Sequence, residues 1–302
     1  MAQPAENVFH ALDQALAAAV ATAVRSVVHV ARGHGHAGTG IAWADDLVIS
    51  SSFHTPDRTE VGVATDDGEL DTRDAEVIGR DPGSDVALLR VAGGGLAPAT
   101  FRELGELAVG NLALALGRPG RSVRASLRAI GVLGPALRTP HGGKLDRYIE
   151  SDRQIPRGFA GGPLVDADGA VIGMNTRTLV RGGDVAVPTV TLRRVVDELV
   201  AHGGIRRGYL GVGAYPAQLS PALAQLAGHD RAALVANVED GAPAALAGLI
   251  VGDLIVELAG APITGPDSLR LALGDRHGET VELTVLRGGA KLTLSAVLES
   301  RR

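Results

Sequence analysis

Pro156-Arg-Gly-Phe-Ala-Gly-Gly-Pro-Leu-Val165 is a glycine-rich loop that runs into an apolar strand. Two stretches upstream also place a chemically capable residue at the end of an apolar strand. Leu47-Val-Ile-Ser-Ser-Ser-Phe-His54 is a strand that runs into a histidine, and Gly83-Ser-Asp85-Val-Ala-Leu-Leu-Arg90 sets an aspartate at the mouth of another. His54 and Asp85 are 31 residues apart, and Asp85 and Ala160 are 75 apart. A histidine base, a carboxylate that orients it and a loop of backbone N–H donors are the parts of an acyl-transfer site. Taken singly, each motif also reads as a surface histidine, a turn aspartate or a glycine turn. Their joint occurrence, in order and in strand-and-loop context, is what carries weight.

Around these stretches the chain reads as short strands, at 26–30, 40–43, 47–50, 60–65 and 75–79, with an Asp66-Asp-Gly68 turn. Further strands fall at 85–91, 112–117, 129–133, 148–151, 171–178 and 184–187. Turn signals recur at short spacing and no helical period intervenes, which is the profile of an all-β barrel or sandwich. Glycine, at 41 of 302 residues, suits many turns. Apolar residues make up 45% of a chain long enough for two cores.

The texture changes near Leu192. Leu192, Val195, Val196, Leu199 and Val200 repeat at helical spacing, and His202-Gly-Gly204 ends the helix. Arg206-Arg-Gly208 opens a second unit, with strands at 209–212 and 233–238 and a short helix at 243–247. A strand at 254–258, a helix at 266–273 and strands at 280–287 and 291–298 follow. Before the first strand, Leu12, Leu16, Val20 and Val24 repeat every four residues, as on one face of an amphipathic helix. The expected division is 1–25 as an N-terminal helix, 26–191 as the β domain, 192–205 as a linker helix and 206–302 as the second domain.

These motifs together resemble the HtrA/Deg-type serine proteases, a trypsin-like domain followed by a PDZ domain. Gly158-Phe-Ala-Gly-Gly-Pro-Leu164 is similar to the family's nucleophile loop, which usually reads Gly-Asn-Ser-Gly-Gly-Pro-Leu. Tyr148-Ile-Glu-Ser-Asp152 and Val171-Ile-Gly-Met-Asn-Thr176 resemble the strands on either side of that loop. Arg193 to Val200 and Arg206-Arg-Gly-Tyr-Leu-Gly-Val212 resemble the linker helix and the start of the PDZ domain. Gly241-Ala-Pro-Ala-Ala-Leu-Ala-Gly-Leu249 and Val251-Gly-Asp-Leu-Ile-Val256 are PDZ-like.

The resemblance implies a mostly β fold: a chymotrypsin-like double β-barrel followed by a PDZ domain. It implies His54 as base, Asp85 as its orienter and the N–H groups of Gly158 and Ala160 as an oxyanion hole. In the second domain it implies that Tyr209, Leu210, Gly211 and Val212 form a carboxylate-binding loop. Leu269 and Leu273 would then face the groove, with core packing as the competing reading of both. Unfolded proteins and C-terminal peptides are the implied partners. Trimers built through N-terminal segments, with Phe9 as a contact, are implied as well.

One departure dominates. Position 160 carries alanine, which has no hydroxyl to deprotonate, so no acyl-enzyme forms there. Ser50, Ser51 and Ser52 lie just before His54 on a strand expected to point them away from the base's partner, and Ser151 sits upstream across the loop. Phe159 stands where a polar residue is usual, and Pro156-Arg157 replaces Asn-Pro. Two functions follow. One is an HtrA-like endopeptidase for unfolded proteins whose nucleophile has been changed, which the retained His54 and Asp85 favour. The other is a natural pseudoprotease that holds peptides in the cleft and the PDZ groove, which Phe159 and Pro156-Arg157 favour.

Other classes fit poorly. A net charge of -5 and 3% aromatic residues argue against a nucleic-acid partner. Without cysteine there is no disulfide, CxxC zinc site or thiol nucleophile. His34 and His36 lack a third ligand nearby, and no metal or cofactor is expected. The apolar stretch 15–24 is about half a membrane span, and Glu6 and Asp13 occupy the place of a signal's positive region. The sequence as it stands therefore reads as cytoplasmic, whereas analogy with the family points to the cell envelope.

Overall fold

The computed structural model describes residues 8–31, 37–180, 183–274 and 276–301. The segment holding His34 and His36 lies outside the described residues. The chain divides into two compact units, Met1–Gly204 and Ile205–Arg302. With 45% strand and 19% helix it is mostly β, with two six-stranded barrels.

The first barrel contains β1 (Val27–Val30), β2 (Gly38–Ala42), β3 (Leu47–Ser51), β4 (Arg58–Ala64), β5 (Leu70–Asp81) and β6 (Val86–Val91). It closes in the order β1-β2-β3-β6-β5-β4. Period-two alternation sends Ala87, Leu89 and Val91 into a core with Val28, Val30, Val48 and Val61. Leu88, on the opposite face of β6, is fully buried too.

The second barrel starts with β7 (Leu112–Gly117) and β8 (Arg124–Gly134). A small pair, β9 (Leu137–Arg138) and β10 (Lys144–Leu145), stands apart from it. The barrel continues with β11 (Tyr148–Ser151), β12 (Pro163–Val165), β13 (Val171–Val180) and β14 (Gly183–Pro188), and closes as β11-β14-β13-β12-β7-β8. Its core holds Ala113, Ala115, Ile130, Ile149, Leu164 and Ile172.

Helix α1 (Val8–Ala23) precedes β1 and buries Ala19 and Ala23 rather than the expected leucine and valine stripe. Leu16 and Val20 are half-buried and Leu12 is exposed. Helix α2 begins three residues before its expected start and runs Thr189–His202. It packs Leu192, Val195, Val196 and Leu199 inward and lies against β5, β6, β13 and β14. The helix expected as a linker is therefore part of the first unit. Pro188 starts it, because proline suits the edge of a helix and not its interior.

In the second unit β15 (Arg207–Tyr209) pairs with β22 (Glu299–Arg301). The main sheet runs β16 (Val212–Gln218), β17 (Arg231–Val238), β18 (Leu254–Leu258), β20 (Thr280–Arg287), β21 (Ala290–Val297), and β19 (Ala261–Pro262) adds to β18. Helices α3 (Pro221–Ala227), α4 (Pro243–Leu246) and α5 (Pro266–Leu273) complete the unit. Helix α3 was not expected, although Pro221 and the capping hydroxyl of Ser220 announce it. Among the described residues no helix is long and apolar enough to cross a membrane.

Candidate active site

Strand register brings the histidine and the aspartate together. β3 and β6 are antiparallel with Ser51 opposite Val86, so Asp85, just before β6, lies beside the end of β3. A short 3-10 turn, Ser52–His54, then folds the histidine back over Ser51. Arg80 of β5 holds this turn, donating to the carbonyls of Ser52 at 2.9 Å and Thr55 at 2.6 Å. Asp85 itself has φ 59°, a left-handed conformation that aspartate tolerates better than most residues.

Ser51 occupies the space between the two. Its Oγ lies 2.8 Å from His54 Nδ1 and 2.8 and 2.9 Å from the Asp85 carboxylate oxygens. The turn reverses the chain, so Ser51 and His54 meet at i and i+3 on the Nδ1 side of the ring. An ionised carboxylate only accepts, so the single Ser51 proton goes to Asp85. The Ser51 lone pair then accepts from Nδ1–H, and Nε2 is left as the basic nitrogen of the neutral ring. Three further donors hold Asp85: Phe53 N–H at 3.0 Å, Thr176 at 2.5 Å and Thr178 at 3.1 Å. The sequence reading missed Ser51, Thr176 and Thr178. A hydroxyl three residues before the histidine was the one visible signal.

Burial pushes the Asp85 carboxyl above its ordinary value, against the opposing pull of the Phe53 N–H and the three hydroxyls. Between the ordinary and the raised value the folded chain binds more protons than the unfolded one. Stability from this group is therefore fully present below the ordinary value and falls as pH rises through that interval. Asp85→Asn is expected to flatten that part of the dependence, read as thermal midpoint against pH across the acid range. Parallel curves for the two proteins would count against Asp85 as its source.

The loop before β12 supplies the rest. The Gly158 carbonyl accepts from Thr39 Oγ1 at 2.6 Å, and that oxygen accepts the Arg118 N–H at 2.8 Å. The Ala160 carbonyl accepts from Thr39 N–H at 3.4 Å. Among the described residues neither Gly158 N–H nor Ala160 N–H meets an internal acceptor. Gly158 has φ 84°, and a Cβ there would lie 2.6 Å from Pro119. Phe159 turns inward: its ring is 3% exposed and joins the second barrel's core. A Cβ on Gly117 would stand 2.6 Å from that ring, so the ring's seat requires glycine there.

His54, Gly158 and Ala160 line one cleft of about 130 Å³ with Ala37, Gly38, Arg157 and Arg177. None of the described residues that line this cleft carries a hydroxyl. Ser50 and Ser51 are buried and committed to Thr39 and Asp85, and Ser151 Oγ donates to the Arg153 carbonyl at 3.3 Å.

In the second unit the expected strand 209–212 is two strands with a turn between them. Gly211 has φ 81°, and a Cβ there would lie 2.2 Å from Ala242 Cβ. The carbonyls of Leu210 and Gly211 accept from Ala244 and Glu239 at 2.8 and 2.9 Å. Among the described residues the N–H groups of Leu210 and Gly211 meet no backbone acceptor. Beyond the turn, β16 is the edge strand of its sheet and α5 packs against it. Leu269 of α5 is 4% exposed and belongs to the domain's core, whereas Leu273 is half-buried against that core.

Two closed antiparallel barrels with this histidine, aspartate and glycine loop, joined to a small β-sheet unit, define a trypsin-like peptidase domain followed by a PDZ domain. Residues 38–174 match the trypsin-like peptidase domain family and 208–298 the PDZ domain family. A probable periplasmic serine endoprotease, DegP-like, of Ectopseudomonas mendocina is 35% identical over 274 residues, covering 86% of this chain and 56% of that protein. One from Chlamydia muridarum is 32% identical over 260 residues, covering 83% and 52%. The HtrA-type protease AlgW with a tripeptide superimposes with a TM-score of 0.65 at 26% identity, covering 95% of this chain and 97% of that one. The chain belongs to the HtrA/Deg family of serine endoproteases. It spans about half the length of the curated relatives it matches.

Proposed function

We propose that this chain is a pseudoprotease that holds peptide segments, in the cleft between its barrels and in the PDZ groove, without cleaving them. The observation that carries the reading is a methyl group at position 160 in the cleft with His54, where none of the described lining residues carries a hydroxyl. Covalent cleavage needs an activated hydroxyl or thiol, whereas binding a carbonyl needs only the N–H donors of Gly158 and Ala160. In this reading His54 and Asp85 are the base and orienter of a lost reaction. The seating of Phe159 in the core supports a loop settled in its present form.

At the PDZ domain the proposed ligand is a peptide ending in a free carboxylate. Leu210 and Gly211 N–H groups would take that carboxylate while the peptide adds as a strand to the open edge of β16. The HtrA-type protease AlgW with a tripeptide, at 26% identity, supports peptide binding. The periplasmic names of the curated relatives support a place in the cell envelope.

Fluorescence anisotropy with a labelled peptide ending in an apolar residue tests the reading. The full chain should bind it saturably and leave it intact, and amidating its C-terminus should weaken binding at least about tenfold. Cleavage of the peptide, or no saturable binding at all, would overturn the proposal. Equal affinity for the free and amidated forms would remove the groove assignment.

A further inference from the structure

The cleft carries more positive charge than a site for a neutral peptide carbonyl requires. Arg157 lies in the loop just before Gly158, and Arg177 follows Thr176 on β13; both line the cleft with His54, Gly158 and Ala160. Arg157 is exposed and has no ion-pair or hydrogen-bond partner among the described residues. Arg177 has one carboxylate in range, Asp184, at 3.7 Å from its Nε. Asp184 is itself engaged, since its other oxygen accepts the Ile155 N–H at 2.5 Å. Asp85, the remaining nearby carboxylate, is fully buried behind the cleft and held by four donors. Two arginines thus line a small space with Gly158 and Ala160, whose N–H groups meet no acceptor among the described residues. The whole chain, by contrast, carries a net charge of -5.

Resting on the peptide-holding reading, we propose that this cleft is a carboxylate-binding subsite and that the peptides it holds are anchored there by an acidic group. A cleft of about 130 Å³ has room for a carboxylate with one or two methylenes. Guanidinium forks match carboxylate geometry, and adjacent backbone N–H groups hold anions without needing a side chain. The Ala160 methyl offers no oxygen to compete for those donors. The carboxylate has two sources, an Asp or Glu side chain within an extended segment, or a chain terminus.

Three labelled peptides separate the outcomes by anisotropy on the full chain. One is apolar, amidated and carries a single internal Glu; the second has Gln in its place; the third is the Gln peptide with a free C-terminus. The Glu peptide should bind at least about tenfold tighter than its Gln counterpart, the effect of one good charge-assisted pair. Arg157→Gln with Arg177→Gln should erase that difference. Arg157→Gln alone, which leaves the Arg177–Asp184 pair intact, should erase part of it. If the free-terminus peptide loses affinity in the double variant, the terminus is a source as well. Equal binding of the Glu and Gln peptides, together with a free-terminus peptide indifferent to both arginines, would overturn the subsite and leave peptide holding standing. No binding by any of the three would overturn both.

Discussion

Ala160→Ser is expected to give the chain a reactivity it lacks, labelling by a fluorophosphonate probe and slow hydrolysis of an unfolded substrate such as casein. The change adds one oxygen to a loop whose carbonyls are already held by Thr39, so the fold should tolerate it. The base is in place beside position 160, with Ser51 fixing its tautomer. General-base assistance is worth about 10² to 10⁴ in rate, so His54→Ala in the same background should remove activity by that factor. The unmodified chain should neither label nor cleave above background. A folded Ala160→Ser protein that stays inert would mean that position 160 is not the only part lost. Phe159 and Arg157 would then be the residues to revert next. An efficient Ala160→Ser enzyme would favour the reading of an endopeptidase scaffold missing only its nucleophile.

Phe159→Ala should be the most destabilising single change near the site. The ring is almost wholly buried in the second barrel's core, and truncating such a phenylalanine costs about 3–5 kcal/mol. In a unit of this size that lowers the thermal midpoint by on the order of 10 °C. Calorimetry should show the loss in the Met1–Gly204 unit and little change in the Ile205–Arg302 unit. Gly117→Ala supplies an internal check, since its methyl would stand 2.6 Å from the ring. It should destabilise the parent strongly and the Phe159→Ala protein much less, a less-than-additive result in a double-mutant cycle. Additive effects would mean that the ring does not occupy this seat.

The sequence by itself determined the family and the mostly β class, and it shows alanine at position 160. These are local facts. His54, Asp85 and the 158–164 loop each adjoin a short apolar strand buried on both faces, and the alanine at 160 needs no structure to be read. Strands at 112–117, 148–151, 254–258 and 280–287, and the helix at 266–273, are legible as short apolar-rich segments bounded by turn residues. What only the tertiary structure decided depends on residues far apart in the chain. Ser51 joins His54 to Asp85 because β3 and β6 are in register and a 3-10 turn doubles back. Thr176 and Thr178 reach Asp85 from more than 90 residues away, across the junction of the two barrels. Phe159 reads as an odd loop residue until its seat opposite Gly117 is seen, and Arg177 reads as a strand cation until it lines the cleft with Arg157. Side-chain periodicity reports which face of an element is buried. Which hydroxyl, ring or guanidinium meets which partner is set by barrel closure, and that is a property of the whole fold.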